Sequence, residues 1–119
     1  MSRGDDTLVA GRSWRPWSAV LATALIARLA IVALTPLVIE WPDGREYEAV
    51  ARSLVEHGTY GEQTLRPPGY PTLMAAVISI FGPSLLTLRL VEALLGTAAV
   101  GIVGAVGASV FGPTAGLAA

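Results

Sequence analysis

The sequence predicts an all-α protein, a polytopic bundle of transmembrane helices with an amphipathic interfacial helix in the loop after the first span. Hydrophobic residues make up 53% of the 119-residue chain and charged residues only 14%, whereas soluble domains carry about 25% charged residues. Long apolar runs alternate with short polar segments. Gly-Pro pairs, which interrupt helices, separate the later runs at Gly82-Pro83 and Gly112-Pro113.

Residues 1–16 are predicted to form a polar N-terminal tail, which carries three arginines and two aspartates. Basic residues before a first span favour a cytoplasmic N-terminus. The loop from Glu40 to Tyr70 also contains three arginines, so charge alone leaves the topology open. The chain has no cysteine, which excludes disulfides and thiolate metal sites. A formal net charge of −1 gives no indication of nucleic acid binding.

The first span is predicted over residues 17–39, where Arg28 is the only charged residue. At about 1.5 Å per residue this run is roughly 34 Å long, enough to cross a hydrocarbon core of about 30 Å. A charge in mid-span is unfavourable unless it is paired. We therefore expect Arg28 to pair with an acidic residue elsewhere in the bundle.

The loop sequence DGREYEAVARSLVEHG predicts one amphipathic helix near residues 44–57. Asp43 is the expected N-cap, with Glu46 completing a capping box, and Gly58 is the expected left-handed stop. Apolar residues recur at helical spacing and charged residues cover the other side. Such a helix suits a membrane interface, and a soluble amphipathic helix that packs on other loops fits the pattern equally well.

Two further helices are predicted near residues 70–81 and 85–111. The first is preceded by the unusual sequence RPPGYP, residues 66–71, and its apolar part is short for an unassisted crossing. The second is rich in small residues, which let membrane helices approach closely and require partner helices. Another apolar segment begins after Pro113. The interpretation is that the chain is the front part of a longer polytopic protein.

Several motifs of the loop occur in a recognisable order. An acid is followed four residues later by a tyrosine, then by A-x-x-L, H-G-x-Y, R-P-P-G-Y-P, an apolar run, F-G and an arginine-bearing helix. In this chain they lie at Asp43, Tyr47, Ala51, Leu54, Gly58, Tyr60, Arg66, Tyr70, Phe81, Gly82 and Arg89. Residues 17–119 resemble the N-terminal region of integral-membrane glycosyltransferases with the C-type fold, such as protein mannosyltransferases and lipid-A aminoarabinose transferases.

The resemblance implies a sugar transferase that uses a polyisoprenyl-phosphate-linked sugar and an extracytoplasmic glycan, lipid or protein acceptor. It implies that residues 17–119 are an incomplete part of the transmembrane domain and that residues 40–70 are extracytoplasmic. It also implies a multi-pass protein of the cell membrane with a cytoplasmic N-terminus. The implied partners are the lipid-linked sugar, membrane lipids and the remaining helices of the parent protein. We expect the 119-residue chain alone to be inactive.

The resemblance also implies site residues. Asp43 matches the family's acid and is the candidate catalytic base, because a carboxylate can accept the proton of the attacking hydroxyl. Arg66 is a candidate for binding the leaving phosphate, because arginine can grip phosphate oxygens with two hydrogen bonds. Tyr47 and Tyr70 are candidates for substrate contact. Glycine, not a second acid, follows Asp43, so no metal ligands are assigned, although a divalent metal in the full-length parent stays open.

Other interpretations of the same residues stay open. Asp43 is also explained as an N-cap alone, Arg66 as a side chain reaching toward lipid headgroups, and Tyr47 as interface packing. Two other functions also fit the composition. In the first, the chain is part of a polytopic transporter or flippase in which Arg28 lines a pathway. In the second, it is a small non-catalytic membrane assembly protein.

Overall fold

A computed structural model of the chain describes residues 5–39, 41–61 and 67–119, and side chains from residue 16 onward. Every regular element in these ranges is a helix, which confirms the all-α prediction there. The helices are α1 (Asp5–Leu34), α2 (Pro42–His57), α3 (Gly69–Phe81), α4 (Leu85–Phe111) and α5 (Pro113–Ala118). They form two compact units, one of Leu34–Val91 and the other of residues up to Ala33 together with Glu92–Ala119. We call them the central unit and the terminal unit.

Two helices are long and apolar enough to cross a membrane. They are the Pro16–Leu34 part of α1 and the whole of α4, each with a mean hydropathy of 2.0. Helix α3 is apolar but has 13 residues, which at about 1.5 Å per residue gives roughly 20 Å, less than a bilayer core. Two candidate spans indicate membrane association, while a crossing by α3 stays a prediction.

The ends of α1 differ from the prediction of a first span over 17–39. The helix ends at Leu34, because Pro36 has no N–H for the helical hydrogen-bond pattern and disfavours helical geometry in the residue before it. At its other end α1 begins at Asp5 and continues through Pro16. The predicted polar tail is therefore helical from Asp5 onward.

The core of the central unit lies where α2, α3 and the start of α4 meet. Its buried residues are Ala51, Met74, Ala75, Val77 and Leu88. Tyr47 and Leu54 of α2 pack against this cluster, so part of the apolar side of α2 is covered by protein, while Val55 stays exposed. The helix packs on other helices and not on loops as the alternative expected. An orientation along a membrane surface stays a prediction.

The prediction for the end of α2 is confirmed, and the prediction for its start is not. Gly58 ends the helix with a φ of 71°, and its N–H donates to the Leu54 carbonyl at 3.0 Å, as predicted. The predicted N-cap was wrong, because the helix begins at Pro42 and its N-cap is Trp41, which makes no side-chain cap bond. Proline suits the first helical position, since its fixed φ is helical and its missing N–H would have no partner there. Asp43 therefore lies in the first turn.

In the terminal unit, α1 and α4 approach closely at glycines. Gly101 faces Leu21, and Gly96 faces the guanidinium of Arg28. A Cβ added at Gly104 would overlap the indole of Trp17. Because the contacts run in opposite directions along the two helices, these segments are antiparallel.

Helix α5 lies against α4 through Gly116. A Cβ added there would lie 2.6 Å from the carbonyl oxygen of Gly104 and 2.7 Å from the backbone nitrogen of Ala108. The helices are therefore close enough that only glycine fits at position 116 without movement of the backbone.

Candidate functional site

Two of the four predicted site residues, Tyr47 and Tyr70, are in contact. Their ring centroids are 5.3 Å apart and the ring planes meet at 79°, an edge-to-face arrangement. This geometry is favourable because the positive edge of one ring meets the negative face of the other. The contact joins α2 to the start of α3, so Tyr70 of the RPPGYP motif lies against the loop helix. We call these residues the tyrosine pair.

Asp43 lies one helical turn before Tyr47 on α2. Residues four apart lie on the same face of a helix, so Asp43 lies on the side that carries the tyrosine pair. Its side chain is exposed. A carboxylate in the first turn is stabilised by the partial positive charge of the helix N-terminus. The acid therefore lies in the exposed first turn of α2, on the side of the tyrosine pair.

The start of α3 is fixed by hydrogen bonds to the loop that follows α2. The hydroxyls of Tyr60 and Thr72 are 2.9 Å apart, and the Thr72 hydroxyl also donates to the Pro68 carbonyl at 2.6 Å. These bonds position the proline-rich segment relative to α2. The fourth predicted site residue, Arg66, lies outside the described residues, and its role as a phosphate ligand stays a prediction.

A cavity of about 460 Å³ lies elsewhere in the central unit. Its polar side is formed by Arg45, Glu48 and Arg52 of α2. Its other lining residues are mainly apolar: Leu37, Val38, Ile39, Met74, Ile78, Pro83, Ser84, Leu85 and Leu88. We call it the arginine cavity. Its size is within the range of about 300–1,000 Å³ of small-molecule sites.

Hydrogen bonds hold the arginine cavity in shape. Arg89 donates to the carbonyls of Thr35 and Val38 at 3.3 and 3.4 Å, which ties the segment after α1 to α4. Arg45 donates through Nε to the Ile39 carbonyl at 3.3 Å. These three bonds position the segment whose residues 37–39 form one wall of the cavity.

The sequence did not reveal the arginine cavity. Arg45, Glu48 and Arg52 were assigned only to the polar side of an amphipathic helix. Their spacing of three and four residues does predict a shared face, but the apolar wall comes from residues distant in sequence. A shared face of charged residues is ordinary for a surface helix, and its contact with an apolar wall was not predictable without the fold.

No metal centre is evident among the residues that the structure describes. Within them, no three His, Asp or Glu side chains are placed to hold an ion together. Arg28 donates through Nη1 to the Ala24 carbonyl at 3.1 Å, on its own helix. Its expected acidic partner is not among the described residues, so that pairing stays a prediction.

Comparison of the chain with known protein families, characterised proteins and solved structures found no match. The functional proposal therefore rests on the residues and their geometry.

Proposed function

We propose that the chain is the N-terminal part of a membrane glycosyltransferase that moves a sugar from a polyisoprenyl-phosphate carrier to an extracytoplasmic acceptor. The proposal starts from the ordered loop motifs that resemble transferases of the C-type fold. It is supported by the two apolar helices that suit a membrane enzyme acting on a lipid-linked substrate.

The observation that carries the proposal is the contact between Tyr47 and Tyr70. These residues come from two motifs separated in sequence, the acidic loop helix and the proline-rich segment. A transferase needs the groups of both motifs near one reacting centre, because the base and the phosphate ligand act on the two sides of the anomeric carbon. The contact brings together one side chain from each motif.

In the proposed reaction, an acceptor hydroxyl attacks the anomeric carbon of the donor sugar. Its proton passes to the Asp43 carboxylate while the new carbon–oxygen bond forms. The bond between the anomeric carbon and the carrier phosphate breaks, and both of its electrons leave with the phosphate oxygen. Arg66 stabilises the charge that develops on that phosphate. The tyrosine pair offers an aromatic surface against which the sugar packs.

Site-specific photo-crosslinking tests whether the donor binds at this position. Benzoylphenylalanine is placed at position 47, at position 70, or at position 56, a control position on the opposite side of α2. Membranes containing the full-length protein then receive a radiolabelled polyprenyl-phosphate sugar. We expect labelling at 47 and 70, reduced by excess unlabelled donor, and little at 56. Equal labelling at all three positions, insensitive to competitor, would contradict the proposal.

A further inference from the structure

We propose that the arginine cavity binds the phosphate headgroup of an anionic membrane phospholipid, which stays bound as a structural lipid. The chemistry that the cavity recognises is a phosphate on an apolar chain. This site is separate from the proposed transfer chemistry, and it does not depend on the proposed function.

The first support is the charge of the polar side. Arg52 is bound to Glu48, with Nη2 to Oε1 at 2.7 Å and Nε to Oε1 at 3.0 Å. That pair is neutral, so Arg45 leaves one net positive charge among the three charged side chains that line the cavity. Within the described residues, the hydrogen bond of Arg45 uses Nε, and its terminal nitrogens are therefore available to a phosphate diester, which carries one negative charge.

The second support is the set of apolar residues that line the same cavity. A free phosphate ion gains nothing from Leu37, Met74 or Ile78, whereas a lipid buries its glycerol and the first part of its acyl chain there. The chain has two helices suited to a membrane, so phospholipid is present at high local concentration. A ligand with a charged head and an apolar chain matches both sides of the cavity.

The third support is the position of the cavity on α2. Arg45, Glu48 and Arg52 are three and four residues apart and share one side of the helix. Asp43 and Tyr47 lie on another side, toward the tyrosine pair. A lipid held by the arginines therefore leaves the candidate catalytic face free.

Ser84 adds a neutral polar group to the same cavity. Its hydroxyl oxygen accepts a hydrogen bond from the Thr87 N–H at 3.3 Å, which leaves the hydroxyl proton to donate. The N-terminus of α4 adds partial positive charge at this wall, although the two guanidinium groups carry the proposal.

Native mass spectrometry of the detergent-purified protein tests the site, with phosphatidylglycerol as the probe and phosphatidylcholine as the zwitterionic comparison. We expect one phosphatidylglycerol to be retained, and the Arg45→Gln and Arg52→Gln variants each to weaken retention about tenfold or more. Glu48→Gln should strengthen retention, since it removes the carboxylate that competes for Arg52. Arg12→Gln makes the same change in charge in α1 and should have no effect.

Three results would overturn the proposal: retention by the arginine variants equal to that of Arg12→Gln, weaker retention in Glu48→Gln, or equal retention of the two lipids. Inorganic phosphate and polyprenyl phosphate are added as competitors. Displacement by inorganic phosphate at the lipid's own concentration would show a simple anion site, and preferential displacement by polyprenyl phosphate would show a carrier site. Either result would exclude a structural phospholipid. Arg52→Gln removes a half-exposed surface ion pair, worth at most about 1 kcal/mol, so that variant should remain folded.

Discussion

The rings of Tyr47 and Tyr70 meet edge to face, with centroids 5.3 Å apart. One ring comes from the helix that carries Asp43 and the other from the proline-rich start of α3. The contact joins residues of two motifs that are 23 positions apart in the sequence. It therefore provides both a packing interaction and the geometrical basis of the proposed site.

A double-mutant cycle should detect the coupling between these rings. We expect Tyr47→Leu and Tyr70→Leu together to destabilise the protein less than the sum of the single changes, with a coupling of about 0.5–1.5 kcal/mol. Leucine retains apolar volume but removes the edge-to-face geometry. Unfolding by detergent titration, followed by helical circular dichroism, measures each variant. Additive effects would show that the ring contact contributes nothing to stability.

Gly116 should tolerate no side chain. The Gly116→Ala variant places a methyl group against the backbone of α4, and such overpacking costs about 1–3 kcal/mol. We expect faster hydrogen exchange of the backbone amides in residues 115–119. Gly69→Ala is the matched control, because a Cβ there meets nothing within 4 Å. Unchanged exchange in Gly116→Ala would contradict the close packing of α5 on α4.

Glycine at position 96 should be required for stability, because the guanidinium of Arg28 occupies the space that a side chain would need. A Cβ at position 96 would lie 2.6 Å from Arg28 Nε. We expect Gly96→Val to destabilise the wild-type protein by about 1–3 kcal/mol and to have a smaller effect when Arg28 is replaced by alanine. Thermal unfolding in a mild detergent measures both backgrounds. An equal loss of stability in the two backgrounds would contradict a clash between valine and Arg28.

Arg89 should stabilise the wall of the arginine cavity. Arg89→Gln removes the charge and the forked donor group that reaches the Thr35 and Val38 carbonyls. Hydrogen bonds from charged groups contribute about 1.5–3 kcal/mol to stability. Because these bonds are long and partly exposed, we expect the free energy of unfolding to fall by about 1 kcal/mol or less. We also expect faster proteolysis within residues 35–41 in Arg89→Gln. Proteolysis at the wild-type rate would show that this segment is held by other contacts.

Local signals in the sequence predicted most of the helical elements. The bounds of α4 match the prediction because Gly-Pro pairs flank a continuous apolar run, and Gly58 ends α2 because only glycine adopts a positive φ there without strain. The start of α2 was predicted two residues late, because Pro42 occupies the first helical position and Trp41, not Asp43, is the N-cap.

The tertiary contacts could not be predicted from the sequence. Asp43, Tyr47 and Tyr70 were selected by resemblance, but nothing in the residues indicated that the two rings touch. The arginine cavity needs residues from α2, α3, α4 and the segment after α1, so its walls exist only once these elements have packed.

The most direct test of the proposed transferase is sugar transfer by the Asp43→Asn variant of the full-length protein in reconstituted membranes. Asparagine retains the shape but cannot accept the hydroxyl proton, so transfer from a radiolabelled polyprenyl-phosphate sugar should fall at least about 100-fold. Asp43 is not the N-cap, and losing its favourable interaction with the helix dipole costs about 0.3–1 kcal/mol. Folding and carrier binding should therefore persist.

Glu56→Gln removes a carboxylate from the exposed end of the same helix and should transfer at the wild-type rate. Arg66→Ala should also abolish transfer, with partial rescue by Arg66→Lys, which keeps the charge but loses the two-pronged grip on phosphate. The predicted result is a folded Asp43→Asn protein that binds carrier and transfers sugar at least about 100-fold more slowly. Transfer by Asp43→Asn at the rate of the Glu56→Gln control would contradict the proposed function.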